Sequence, residues 1–369
     1  MSESFQIMEL LKITLDPFDM CIPFTREKST SPKNLNHLGF LWRDNYSQLK
    51  VGLKFQNQEL WGFIRSSAVI VEGDIEENSD GLNLGKTLEL SYDAMFSNFW
   101  KIGGGFYRIL DHYDDRKIFS YYSIDTFGPA IMIPKITGSH FHISSNKHLK
   151  LSGSLSWTFA TNTRNDFEKG QFIELTYRLN PFLSFSGSYD RYILDKQYFW
   201  LEELELANKS QFIFSDLDKH LNIITLRTSW NIGRDLSIQI YSELFQNNDV
   251  YSNYSEYKAD SLKYYIIDEK ELYTDEYQII QSENSIQVLD PNLYIGLFPR
   301  YTSFILNSVL KWNYVQGSNL YIVYTFRKSV NGMQFDTVSD FFNYNKEGRW
   351  VEVLRDQSIM LKIDYWFEI

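Results

Sequence analysis

Strict alternation of apolar and polar residues runs through this chain in segments longer than ordinary soluble strands. From Leu149 the odd positions read Leu149, Leu151, Gly153, Leu155, Trp157, Phe159, while the even ones read Lys150, Ser152, Ser154, Ser156, Thr158. Side chains on a strand point alternately to opposite sides, so this segment has one apolar and one polar face. The same split sets Ile224, Leu226, Trp230, Ile232 against Thr225, Arg227, Ser229, Asn231, and Leu236, Ile238, Ile240, Leu244 against Ser237, Gln239, Tyr241, Glu243. It recurs at Leu183, Phe185, Gly187, Tyr189 and at the closing Ile359, Leu361, Ile363, Tyr365, Phe367. Soluble strands average about five or six residues, whereas a tilted membrane-spanning strand needs about nine to eleven, the length of these runs. The inventory agrees: 28 Phe, 25 Tyr and 9 Trp stand beside only 6 Ala, a composition for pleated strands rather than helices.

The connections alternate short and long. Asn180-Pro181, Gly233-Arg234-Asp235 and Gln316-Gly317-Ser318 are tight turn sequences, each between two long strands. Between them the pattern predicts long polar loops over Ala160 to Gly170, Asp195 to His220, Gln246 to Tyr301 and Lys328 to Gln357. Upstream, Asn57-Gln58-Glu59 and Ser97-Asn98 read as short turns, with longer loops over Glu72 to Gly81 and Asp111 to Pro134. This is the asymmetry of outer-membrane barrels, which have short periplasmic turns and long extracellular loops. The expected fold is all-β, an antiparallel transmembrane β-barrel of about 14 strands. It occupies 36–369, after a poorly defined N-terminal segment, 1–35, that ends near Thr30-Ser31-Pro32-Lys33. Met1 to Asp16 contains Glu3, Glu9 and Lys12 and does not read as a secretory signal.

Charge and chemistry narrow the function classes. The formal charge of −11 repels a phosphate backbone, which excludes nucleic acid as a partner. Cys21 is the only cysteine, so the chain forms no disulfide within itself and no thiolate cluster. There is no Gly-x-Ser-x-Gly elbow, no His-Glu-x-x-His and no convincing triad, and the reading is of a protein that is not an enzyme and needs no cofactor. Gly103-Gly104-Gly105 lacks the Lys-Ser/Thr of a phosphate loop and reads as a bulge or close packing within a strand.

Three groups of residues remain as site candidates. Glu174, Arg178, Asp190, Arg227, Glu243, Lys311, Lys362 and Asp364 are charges in the polar register of long strands. In a barrel they face the lumen, where mutual pairing is the favoured role and selectivity for a solute the alternative. The loop 247–300, with ten acidic and four basic residues, is rich in Tyr, and Tyr251, Tyr254, Tyr257, Tyr264 and Tyr265 are its candidate contacts for a sugar or peptide. His140 and His142 share a strand face near His148 and form a weak candidate for a metal site, ranked below ordinary interfacial histidines.

Four segments carry a resemblance: Gly39-Phe40-Leu41-Trp42-Arg43-Asp44, Leu221 to Phe245, Asn307 to Tyr324 and Met360 to Phe367. Arg227, Asp235-Leu236-Ser237, Trp312, Tyr314 and Gly317-Ser318 match most specifically, and Phe127-Gly128-Pro129 is similar to a further step of the pattern. Together they resemble the barrel portion of a Bacteroidetes-type outer-membrane β-barrel family of unknown function. Members of that family carry a signal peptide and a carbohydrate-binding-like sandwich ahead of the barrel. The resemblance implies an outer-membrane location, lipid as the surrounding partner, and solute passage or surface handling, a small solute or glycan being the ligand. It carries no catalytic residue. The competing expectation is a soluble all-β protein with a glycan-binding or glycan-cleaving face, whose apolar register packs on a second sheet.

Overall fold

The computed structural model describes residues 5–15, 18–29, 46–120, 123–206, 209–258, 263–266, 279–282, 285–290, 293–297, 300–335, 337–346, 348 and 351–366. Side chains are described for 46–119, 127–201, 203, 212–258, 300–335, 337–346, 348 and 351–366. The chain is all-β, with antiparallel pairing throughout its main ladder, and it divides into two compact units.

The first unit comprises Met1–Ser144, Trp157–Glu168 and Tyr257–Tyr265. Its strands are β1 (Phe5–Leu15), β2 (Phe18–Ser29), β3 (Tyr46–Asn57), β4 (Ile64–Asn78), β5 (Asn83–Phe96), β6 (Lys101–Ile109), the short β7 (His112–Asp114), β8 (Phe119–Ser120), β9 (Ser123–Phe127) and β10 (Ile131–Ile133), and β11 (Ile136–Ser144). The ladder runs β1-β2-β3-β4-β5-β6-β11, while β7 pairs with β10 and β8 with β9 inside the predicted Asp111 to Pro134 loop. The N-terminal segment is therefore part of the sheet: β2 pairs with β3 from Asp19 opposite Gln56 to Ser29 opposite Tyr46.

The second unit comprises Ser145–Ser156, Lys169–Glu256 and Ile266–Ile369. The remaining strands in chain order are β12 (Leu151–Asn162), β13 (Phe167–Asn180), β14 (Leu183–Leu206), β15 (Lys209–Ile232), β16 (Leu236–Lys258), β17 (Lys263–Ile266), β18 (Ile279–Ser282), β19 (Ser285–Asp290), β20 (Leu293–Leu297), β21 (Arg300–Val315), β22 (Ser318–Asn331) and β23 (Glu352–Asp364), with one short helix, α1 (Val338–Asn343). Here the order is β12-β13-β14-β15-β16-β21-β22-β23. Among the described residues the path ends at β1 and β23, each paired on one side only, so the ladder is an open antiparallel sheet.

Pairing respects the two faces read from sequence. Across β14 and β15, Gly187 meets Leu226 and Tyr189 meets Ile224, while Ser186 meets Arg227 and Ser188 meets Thr225. A slip of one residue would put every apolar side chain on the polar face, which is why register is so well specified here. The apolar register is not covered. Leu53, Phe55, Val71, Leu90 and Phe106 of the first unit and Leu175, Leu226, Trp230, Trp312 and Ile322 of the second are all exposed.

Asparagine closes the hairpins at both ends of the strands. Asn57, Asn78, Asn162 and Asn180 are the last residues of β3, β4, β12 and β13, and each side-chain oxygen accepts the backbone N–H two residues on, at 2.9, 3.0, 2.8 and 2.8 Å. The side chain thereby mimics a backbone turn. Asn180→Ala is expected to lose about 1 kcal/mol of hairpin stability, read as a lower urea midpoint. At two other turns Gly233 and Gly317 take φ of 74° and 79°, which other residues adopt only under strain.

The expected long loops are shorter than the pattern predicts. Over Asp195 to His220 the described residues form no long loop, because β14 and β15 continue as a paired ribbon with Trp200 opposite Phe214 and Leu206 opposite Lys209. Neighbouring Ile213 and Phe214 are both 0% exposed. Consecutive positions point to opposite faces, so both faces are buried there and the period-two signature vanishes although the strand persists. Likewise β4 reaches Asn78, β16 reaches Lys258, and β22 and β23 extend into the Lys328 to Gln357 segment, leaving α1 between them.

Candidate functional site

Four of the eight charged residues in the polar register converge. Glu174 of β13, Asp190 of β14, Arg227 of β15 and Glu243 of β16 line one cavity of about 300 Å3 in the second unit. The hydroxyls of Ser186, Ser188 and Thr225 share its wall with the ring of Phe172. Register explains the convergence: Ser186 lies opposite Arg227 and Ser188 opposite Thr225, so residues two apart on neighbouring strands stack on one face.

The cavity has a fixed side and a free side. The Arg227 guanidinium lies 5.1 Å over the Tyr241 ring, and the Tyr241 hydroxyl donates to Glu243 Oε2 at 2.5 Å. Arg227 and Glu243 are thus held through one tyrosine, and their charges offset. Glu174 and Asp190 make no hydrogen bond or ion pair among the described residues. The arrangement can bind and orient a polar solute. Tyr241, which the sequence reading did not single out, stands two residues before Glu243 on the same face, and that parity was the available signal.

The other four polar-register residues lie elsewhere. Lys311, Tyr321 and Lys362 are successive cross-strand partners on β21, β22 and β23, with the ammonium groups 5.7 and 5.6 Å from the Tyr321 ring centroid. Lys362 also pairs with Asp364 at 3.2 Å, and the Asp364 carbonyl accepts the Tyr314 hydroxyl at 3.3 Å. Arg178 is at the turn end of β13, where its guanidinium donates to the Lys147 carbonyl. These four act in pairing and anchoring. In the first unit sequence reading missed a comparable group: Gln48 donates to Glu76 at 2.7 Å and Lys50 pairs with Glu72 at 2.6 Å. Its signal was the period-two run Glu72, Asp74, Glu76.

The tyrosine expectation is corrected. Tyr251, Tyr254 and Tyr257 belong to β16 and are buried, not displayed on a loop. The Tyr251 ring packs edge-on against Phe199 at 5.6 Å. Tyr257, 1% exposed, donates to the Ala130 carbonyl at 2.9 Å, and burial pushes its phenol up. They hold the strand extension together, and Asp249 beside them, raised by burial, is drawn back by Lys219 at 3.4 Å. Tyr264 and Tyr265 fall in β17, and their side chains lie outside the described residues, as do the Gly39 to Asp44 segment and much of 247–300.

His140 and His142 do share a face of β11, opposite Gly105 and Gly103 of β6. A Cβ on Gly103 would sit 2.4 Å from His142 Cε1, and one on Gly105 2.8 Å from His140 Cε1, so the glycines let both imidazoles lie flat across the neighbouring strand. His142 Nε2 is 3.4 Å from Asp93 Oδ1. No group of three or more His, Cys, Asp or Glu positioned for a metal is found among the described residues, and His148 sits in the turn before β12. Gly104 is the tightest of the three against backbone, with a Cβ 2.5 Å from the His140 carbonyl oxygen. Gly104→Ala should cost about 1 to 3 kcal/mol through the strand shift it forces, seen as a lower unfolding midpoint.

No protein-family model matches the chain, and no curated protein matches it.

Proposed function

We propose that this chain is an outer-membrane β-barrel protein whose apolar register faces lipid and whose polar register lines a lumen, serving passage or surface handling of a small polar solute without catalysis. The observation that carries this reading is the uncovered apolar register, present in both units and ending in aromatics at the short turns. Trp61 and Phe63 precede β4, Phe99 and Trp100 sit in the β5–β6 turn, Phe182 and Trp230 at the turn ends of β14 and β15, Trp312 near the end of β21, and Tyr365 and Trp366 after β23, all exposed. Exposed aromatic rings at strand ends are what a membrane interface selects, and an outward apolar band about 25 Å tall flanked by such rings is the mark of outer-membrane barrels. From Arg355 to Tyr365, about ten residues span about 33 Å along the strand and about 25 Å at a tilt near 40°.

Open sheet edges do not persist in hydrocarbon, so the proposal includes closure of the strand path. It puts the short turns in the periplasm and the longer connections outside, and it accords with the resemblance to the Bacteroidetes outer-membrane family. No helix of the described residues is long and apolar enough to cross a membrane; crossing by strands is a separate matter. Expressed behind a signal peptide in a Gram-negative host, the protein should sediment with outer membranes and require detergent for extraction. Recovery as a soluble monomer from the periplasm would replace this reading with the soluble all-β, glycan-binding or glycan-cleaving one.

A further inference from the structure

The ten-residue wall of the polar-face cavity has an unbalanced charge. Arg227 is offset by Glu243 through Tyr241, which leaves Glu174 and Asp190 as two carboxylates without a partner among the described residues. The rest of the wall is not acidic: it offers the hydroxyls of Ser186, Ser188 and Thr225, the Phe172 ring, Ile223 and Gly187. A cavity of about 300 Å3 is at the small end of ligand sites, large enough for a single sugar ring or a short amine.

Resting on the barrel reading only for how solute reaches it, we propose that this cavity binds a small hydroxylated organic cation, with the ammonium group taken by Glu174 and Asp190 and the hydroxyls by Ser186, Ser188 and Thr225. An anion is disfavoured because the one cation in the wall is already engaged, by its own tyrosine and carboxylate. A neutral sugar satisfies the hydroxyls but leaves both carboxylates uncompensated, so charge supplies the discrimination. Arg227, stacked on Tyr241, repels an ammonium approaching from the β16 side and thereby directs it toward β13 and β14.

The test is isothermal titration of glucosamine, N-acetylglucosamine and glucuronate into the full-length chain in detergent micelles. The three probes share a hexopyranose ring and differ in charge. Saturable binding is expected for glucosamine alone, weakened tenfold or more by Glu174→Gln or Asp190→Asn and unchanged by Ser358→Ala, on β23 outside the cavity. Glu174 is exposed, so its amide variant should fold normally, and the probe comparison on the native chain needs no variant. Equal binding of N-acetylglucosamine, preferred binding of glucuronate, absent binding of glucosamine, or an affinity indifferent to both substitutions would each overturn the assignment. The membrane reading stands or falls separately by fractionation. A chain that sediments with outer membranes yet ignores glucosamine loses only the site, and a soluble chain that binds it loses only the barrel.

Discussion

Replacing Leu226 by arginine should prevent stable insertion, while the same substitution one residue earlier, at Thr225, leaves assembly intact. Leu226 is 57% exposed in the sheet, opposite Gly187 on the apolar face. If water covers that face, an exposed Leu→Arg change is worth less than about 0.5 kcal/mol either way. If lipid covers it, an arginine near the bilayer midplane costs about 2 to 4 kcal/mol. The two environments thus predict different outcomes for one substitution. The measurement is the fraction of chain reaching the heat-modifiable, folded form in detergent or liposomes. Normal folding of Leu226→Arg would sink the lipid-facing assignment, whatever the localisation of the native chain. Failure of Thr225→Arg would mean that the polar face is packed rather than wet.

Substituting methionine for Lys328 should free the segment between β22 and β23. Lys328 lies on the apolar face of β22 but is only 2% exposed, covered by the residues around α1. Its ammonium donates to the carbonyls of Phe342 and Tyr344 at 2.8 and 2.7 Å and lies 5.2 Å from the Phe341 ring centroid. Both carbonyls belong to the C-terminal end of α1, where unsatisfied acceptors and the helix dipole favour a cation. Around it, buried Val330, Phe335 and Phe341 form a small core with Phe304, Met333 and Tyr344 packed against them. Methionine keeps most of the stem volume and removes the donors, leaving two carbonyls without their partner at a cost of about 1 to 3 kcal/mol. A segment this short opens locally rather than globally. Chymotryptic cleavage at Phe341 and Phe342 should therefore accelerate by about tenfold or more, each tenfold corresponding to about 1.4 kcal/mol, while unfolding of the sheet is unaffected. Unchanged cleavage would show that the apolar cluster alone holds the segment.

The same neighbourhood shows how far reading residues in order can reach. Alternation placed Arg227 and Glu243 on polar faces, because every side chain two residues on returns to the same side, whereas their meeting rests on β15 and β16 being neighbours. It did not reveal that Tyr241 couples them, since that depends on the distance across β15 and β16. The short turns were legible for a local reason: Asn180-Pro181, Gly233 and Gly317 dictate turn geometry within a few residues of themselves. The strand extensions around Ile213, Phe214 and Tyr251 were not legible, because burial on both faces erases the alternation that marks a half-buried strand. α1 was missed although Thr337 and Asp340 carry a capping signal; Thr337 accepts the Asp340 N–H at 3.1 Å. Six residues give too few apolar positions for a helical period to stand out.

What the sequence determines by itself is therefore the all-β class, the face to which each residue of the alternating runs belongs, and the positions of the tight turns. All three follow from interactions within a few residues or from a strand's two-residue repeat. Tertiary structure alone decided which faces are covered, which charges meet, and how far each strand runs. Those depend on register between segments distant in the chain: Asp190 and Glu174 share a cavity with Arg227 only because β13, β14 and β15 are neighbours, and Lys328 became buried only because α1 folds back over it.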